Sequence, residues 1–183
     1  EGWIETTLES VCEITSSLID PTEERYQKCY HVGGANIESE SGRLINLLNV
    51  KKEGITSGKF TFDESMVLYN KIRPYLKKIA RPDFCGACSA DMYPLSPKEN
   101  IDRDYLYYLL MSEDFTDYAI SNSGRAGMPK VNRKALFAYQ FSMPQNINQQ
   151  KEIAQGLDTI FNKCQSLQKN SQEIISECDA LKQ

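Results

Sequence analysis

The residues able to do chemistry are few and poorly matched. There is one histidine, His31, in 183 residues, so a Ser-His or Cys-His nucleophile would have to be built around it. No Gly-x-Ser-x-Gly elbow accompanies it. No Gly-x-x-x-x-Gly-Lys-Ser/Thr loop occurs, Gly33-Gly34 is not a dinucleotide fingerprint, and there is no Pro-Pro pair of the kind a DNA aminomethyltransferase needs. Pro82-Asp83 opens like a metal-dependent nuclease signature, but no Glu-x-Lys or Asp-x-Lys follows nearby. The acidic pairs Asp102/Asp104 and Glu113/Asp114 read as helix N-terminal charge or solvated surface. Cys85-Gly86-Ala87-Cys88 has redox-motif spacing and, with Cys29 and His31, could in principle complete a four-ligand zinc site. Against this, Cys29-x-His31 is tight and no βαβ pattern surrounds the CxxC, so reduced thiols are expected, and neither a metal nor a cofactor.

The remaining chemistry is positive charge. The formal net charge is -4, yet it is strongly segregated. Residues 1–50 hold nine acids against three bases. Tyr69 to Pro82 holds Lys71, Arg73, Lys77, Lys78 and Arg81 with no acid, and Tyr118 to Lys151 holds Arg125, Lys130, Arg133, Lys134 and Lys151 with none. A polyanion binds through local patches that release counterions, so local density counts for more than global sign. The bland alternative is a solvated face whose countercharges come from elsewhere in the fold.

These segments must be carried by a globular body. Hydrophobic residues make up 40% and charged residues 25%, which fits one domain of about 150 residues with an appendage and excludes collagen-like or disordered chains. No apolar run is long enough to span a membrane, and the acidic start Glu1-Gly2-Trp3 lacks signal-peptide order, so a cytoplasmic protein is expected. The absence of an initiator Met marks processing or a fragment.

Residues 1–146 read as mixed α and β. Met66 to Tyr69, Ala87 to Leu95 and Tyr139 to Met143 are predicted strands, and Tyr105 to Leu110 a helix after Asp102 or Asp104. The sharpest period is C-terminal. Ile153, Leu157, Ile160, Cys164, Leu167, Ser171, Ile174, Cys178 and Leu181 alternate spacings of four and three, the heptad seam of a coiled coil. A helix over 147–183, capped by Asn146 or Asn148, would be on the order of 50 Å long. A helix lying on its own domain accounts for the first two turns; the rest of the stripe calls for an apolar partner helix.

Six segments in order carry a resemblance: Tyr30 to Ile37, Val67 to Ile79, Gly86 to Pro97, Tyr105 to Leu110, Gly127 to Arg133, and Pro144 through Gln150 with Ile153-Ala154. Together they resemble the DNA specificity (S) subunit of type I restriction-modification systems. The resemblance implies an α+β target recognition domain over 1–146 and a spacer helix over 147–183, where a complete S subunit has two recognition domains separated by an antiparallel helix pair. It also implies that methylation, with S-adenosylmethionine, belongs to a separate M subunit and cleavage to an R subunit. The expected partners are double-stranded DNA, the M and R subunits, and a second copy or recognition domain. Candidate DNA contacts are Lys71, Arg73, Lys77, Lys78, Arg81, Arg125, Lys130, Arg133 and Lys134, with Asn132 and Ser123 as candidate base readers; Arg73 is equally open to a structural ion pair. The candidate helix interface is Ile153, Leu157, Ile160, Cys164, Leu167, Ile174, Cys178 and Leu181. The rival reading is a non-catalytic coiled-coil interaction module that does not bind DNA, and the salt dependence of duplex binding separates the two.

Overall fold

The computed structural model describes residues 2–124 and 127–180, with side chains through Ile175. In chain order the elements are β1 (Trp3–Thr7), α1 (Leu8–Val11), β2 (Cys12–Glu13), β3 (Leu18–Ile19), β4 (Tyr30–Val32), β5 (Leu48–Asn49), α2 (Val50–Glu53), β6 (Lys59–Phe62), β7 (Val67–Asn70), β8 (Ile79–Ala80), β9 (Gly86–Ser89), β10 (Met92–Pro97), α3 (Arg103–Met111), α4 (Glu113–Ser121), α5 (Arg133–Phe137), β11 (Gln140–Pro144) and α6 (Ile147–Ala180).

Strands β2-β10-β7-β8 form one sheet and β3-β6-β9-β4-β5 another, while β1 pairs only with β11. The hinge of the arrangement is β7, whose four residues are all buried. Alternation along a strand sends neighbours to opposite faces. Val67 and Tyr69 enter a core with Leu95, Leu106, Leu110, Phe115 and Leu136. Leu68 enters a second core with Val32, Phe60, Phe62 and Met92 between the sheets. A strand covered on both faces reads as a continuous apolar run rather than an alternating one, as Met66-Val67-Leu68-Tyr69 does.

The predicted strand over 87–95 is two strands. β9 joins the five-stranded sheet and β10 the four-stranded sheet, with a turn at Ala90-Asp91 between them where the Asp91 amide donates to Ser89 Oγ at 3.2 Å. The helix starts follow side-chain caps. Asp102 accepts from the Asp104 and Tyr105 amides at 3.0 Å, Ser112 from Phe115 at 3.2 Å, and Asn146 from Asn148 at 2.8 Å.

α6 spans 34 residues, about 51 Å at 1.5 Å per residue. Its domain-facing stripe runs through Gln150, Ala154, Asp158, Phe161 and Gln165. The heptad seam lies roughly 100° around the helix from that stripe. Ile153 packs on the first core, Cys164 is exposed, and Ile160, Leu167 and Ile174 are 59%, 67% and 60% exposed. The side chains of Cys178 and Leu181 lie outside the described residues.

Two glycines share a left-handed backbone in different surroundings. Gly42 (φ 65°) sits where an added Cβ would lie 2.4 Å from Tyr107 Oη and 2.5 Å from the Ile79 carbonyl; around Gly54 (φ 67°) there is open space. Gly54→Ala should cost about 1–2 kcal/mol from backbone strain alone. Gly42→Ala should cost roughly 1–3 kcal/mol more because backbone must shift. Urea denaturation compares the two, and equal losses would contradict the packing at Gly42.

Candidate nucleic-acid interface

β7 runs on into Lys71-Ile72-Arg73, and there the chain pairs with the second basic stretch. The Val131 amide donates to the Lys71 carbonyl at 3.0 Å and the Arg73 amide to the Pro129 carbonyl at 2.8 Å, with an antiparallel bridge between Ile72 and Lys130. Segments almost 60 residues apart in sequence thus become one strip of surface. Arg73 is left-handed (φ 52°, ψ 66°), as is Lys77 (φ 44°, ψ 47°), and the 3-10 turn Pro74–Leu76 lies between them. Such backbone costs non-glycine residues on the order of 1–2 kcal/mol. The Leu76 amide closes the turn on the Arg73 carbonyl at 2.9 Å and the Lys77 amide on Pro74 at 3.0 Å.

The side chains divide sharply. Arg73, Arg133 and Lys134 are exposed. Among the described residues Arg73 joins none of the ion pairs, so its structural ion-pair role finds no partner there. Lys130 is half-exposed, 3.8 Å from Asp91, and Arg133 reaches over the Tyr93 ring at 5.9 Å. Tyr75 and Met128 stand exposed beside them, and Met128 helps line a crevice of about 400 Å³ with Asn70, Ile72, Arg73, Leu76 and Lys78. Arg125 lies outside the described residues.

The other basic candidates have partners within the chain. Lys71 is 8% exposed; its ammonium donates to the Ala90 carbonyl and sits 5.0 Å from the Tyr93 ring. Burial, with Lys130 close by, holds its pKa below the ordinary lysine value. Lys78 donates to the Gly34 carbonyl at 2.5 Å. Lys77 pairs with the exposed Glu113 at 2.5 Å, a contact that phosphate could compete with. Arg81 is committed to Asp104 at 2.9 Å and to Asp158 of α6, and covers the Tyr107 ring at 4.6 Å. Burial alone would lower its pKa, but its bonds to the two carboxylates outweigh that and raise it.

Both candidate base readers already make a hydrogen bond within the chain. Ser123 is buried and donates its hydroxyl to the Ile120 carbonyl at 2.7 Å. Asn132 spends its Oδ1 on the Ala135 amide at 2.9 Å, capping α5. Base reading by an Asn uses that oxygen together with the amide nitrogen.

The zinc arrangement does not assemble. His31 and Cys88 occupy adjacent registers, His31 opposite Ala87 and Val32 opposite Cys88, so they point to opposite faces of one sheet. Cys88 is buried, and burial pushes its thiol up to about 12. His31 Nδ1 lies 2.9 Å from Glu53. Among the described residues no group of three His, Cys, Asp or Glu side chains is placed to hold a metal, and no helix is long and apolar enough to cross a membrane.

Residues 1–176 match the family described as type I restriction modification DNA specificity domain. The specificity subunit of the type I restriction enzyme EcoDI from Escherichia coli is 31% identical over 182 residues, which is all of this chain and 40% of that protein. The HsdS subunit from Thermoanaerobacter tengcongensis superposes with a TM-score of 0.80 at 20% identity, over 98% of this chain and 47% of that one. A chain from a type I R-M system assembly gives 0.77 at 22%, over 92% and 44%. The chain therefore spans less than half the length of the relatives it matches, and within that span it belongs to the DNA specificity family of type I restriction-modification systems.

Proposed function

We propose that this chain reads one half of a bipartite duplex DNA target through the strip formed by residues 71–77 and 128–134, and contributes α6 as the spacer that joins it to a second recognition domain. The observation that carries the reading is the backbone pairing of Lys71-Ile72-Arg73 with Pro129-Lys130-Val131, which merges two basic stretches into one surface. Arg73, Lys130, Arg133 and Lys134 are its phosphate contacts, with Lys77 available when Glu113 yields. Arginine can also read guanine edges bidentately, and Arg73, on a fixed backbone, is the strongest candidate for that role. The chain works beside M and R subunits that do the chemistry, consistent with its lack of a catalytic set.

The seam supports the second half of the proposal. Leu157, Ile160, Leu167 and Ile174 are exposed, and full burial of such side chains contributes roughly 1.5–3 kcal/mol each before ordering costs. An antiparallel partner, either a second copy or the matching helix of a second domain, would place two recognition domains at opposite ends. Two identical copies would read a palindromic split site whose gap follows the length of the rod.

Two measurements test this. Replacing Lys130, Arg133 and Lys134 together with Ala should reduce the slope of log K against log salt by about 2.7, from roughly 0.9 per phosphate contact. An unchanged slope would remove the strip from the interface, and no duplex binding by the unmodified chain would favour the interaction-module reading. Separately, Leu167→Asp with Ile174→Asp should abolish self-association in sedimentation at several concentrations; a dimer that survives would show that the seam is not the contact.

A further inference from the structure

α6 is fastened to the domain at two polar points. The first is Gln150, fully buried. Its Oε1 accepts from the Asp102 amide at 2.8 Å, and its Nε2 donates to the carbonyls of Asn100 at 3.2 Å and Pro144 at 2.8 Å. The second is Asp158, about 12 Å further along the axis. It takes both terminal nitrogens of Arg81 and accepts from Tyr108 Oη at 2.6 Å. Asp104 holds the same guanidinium from the other side at 2.9 Å, and the rings of Tyr107 and Tyr108 lie beneath it at 4.6 and 5.3 Å. A helix held at one point can pivot, whereas a second, directional contact fixes its heading. Arg81 stands eight residues after Arg73, on the segment that returns from the DNA-facing strip through β8.

We propose that the Arg81–Asp158 pair is a positioning latch: it fixes the heading of α6 relative to the DNA-facing strip, and through it the gap between the half-sites that a paired molecule reads. The inference rests on the DNA reading and helix pairing proposed above. The lever is long. From Gln150, the pivot that remains, to Ala180 the helix runs about 45 Å, so a swing of about 10° moves its end by roughly 8 Å. One base pair of added gap is only about 3.4 Å of rise, with roughly 34° of rotation. A loosened latch therefore blurs the gap by more than one base pair without touching the strip itself.

The test pairs a geometric readout with a DNA readout. Spin labels go on the exposed Cys85 and on Asn170→Cys, outside the seam, with Cys29, Cys164 and Cys178 replaced by Ser; Cys12 and Cys88 stay, since burial pushes both thiols up to about 12 and keeps them unreactive. The distance distribution should be narrow with the latch intact and about twice as wide in Asp158→Ala. Asp158→Asn, which keeps an acceptor for Tyr108 but not the charge, should fall between the two and guards against misfolding of the alanine variant. On duplexes carrying the bipartite motif methylated in the source genome, the unmodified chain should prefer the native gap over gaps altered by one base pair by about tenfold or more. Asp158→Ala should reduce that preference to about threefold, with binding to a single half-site duplex unchanged within about twofold. An unaltered distance distribution would overturn the latch, and so would a widened distribution with gap preference intact. If the unmodified chain binds no duplex, the DNA reading fails and the claim about the gap falls with it, while the distance distributions still decide whether the pair fixes α6.

Discussion

β7 has to bury both of its faces, and the rest of the molecule is arranged around that demand. With Val67 and Tyr69 in one core and Leu68 in the other, the strand cannot shift register by one residue without exchanging every side chain between the cores. Its continuation is therefore fixed, and Lys71, Ile72 and Arg73 leave the sheet on a set line to meet Pro129, Lys130 and Val131. Lys71 strengthens this exit by filling the space beneath it, its ammonium on the Ala90 carbonyl at the β9–β10 turn. The left-handed backbone at Arg73 and Lys77 is maintained by the same framework, since such conformations persist only where surrounding structure over-determines them.

A different balance governs the long helix. Its contact with the domain combines apolar packing at Ile153 and Ala154 with directional polar bonds at Gln150 and Asp158, whereas the seam from Leu157 to Ile174 is left exposed. Apolar surface sets how strongly a helix is held, and hydrogen-bonded groups set where it is held. The exposed part of the seam stays available for a partner while the domain controls the heading. Loss of Gln150 would leave the Asp102 amide and two carbonyls without partners, each at a cost of about 1–3 kcal/mol.

Features governed by local sequence were legible. The α3 cap at Asp102, the last strand before α6, the start of α6 at Asn146 and the exposed part of its seam all follow from neighbours within a turn or two. What was not legible depends on distant pairing. The split of residues 87–95 into β9 and β10 follows from the parallel pairing of β9 with β4 and the antiparallel pairing of β10 with β7, partners tens of residues away. The basic stretches were visible as stretches, but lysines and arginines look alike in sequence whether they end in solvent or on a carbonyl, so Lys71, Lys78 and Arg81 could not be told from Arg73, Arg133 and Lys134. Asp158 and Gln150 sat among the polar positions outside the heptad seam, where solvation is the ordinary expectation.

On the reading proposed above, segments 71–77 and 128–134 act as one DNA-facing surface. Amide hydrogen exchange followed by mass spectrometry, with and without duplex DNA at low salt, tests it most directly. Peptides covering both segments should slow together on adding DNA and recover together as salt is raised, while peptides of the β3–β6 edge stay unchanged. Protection of one segment without the other, or protection centred elsewhere on the domain, would contradict it.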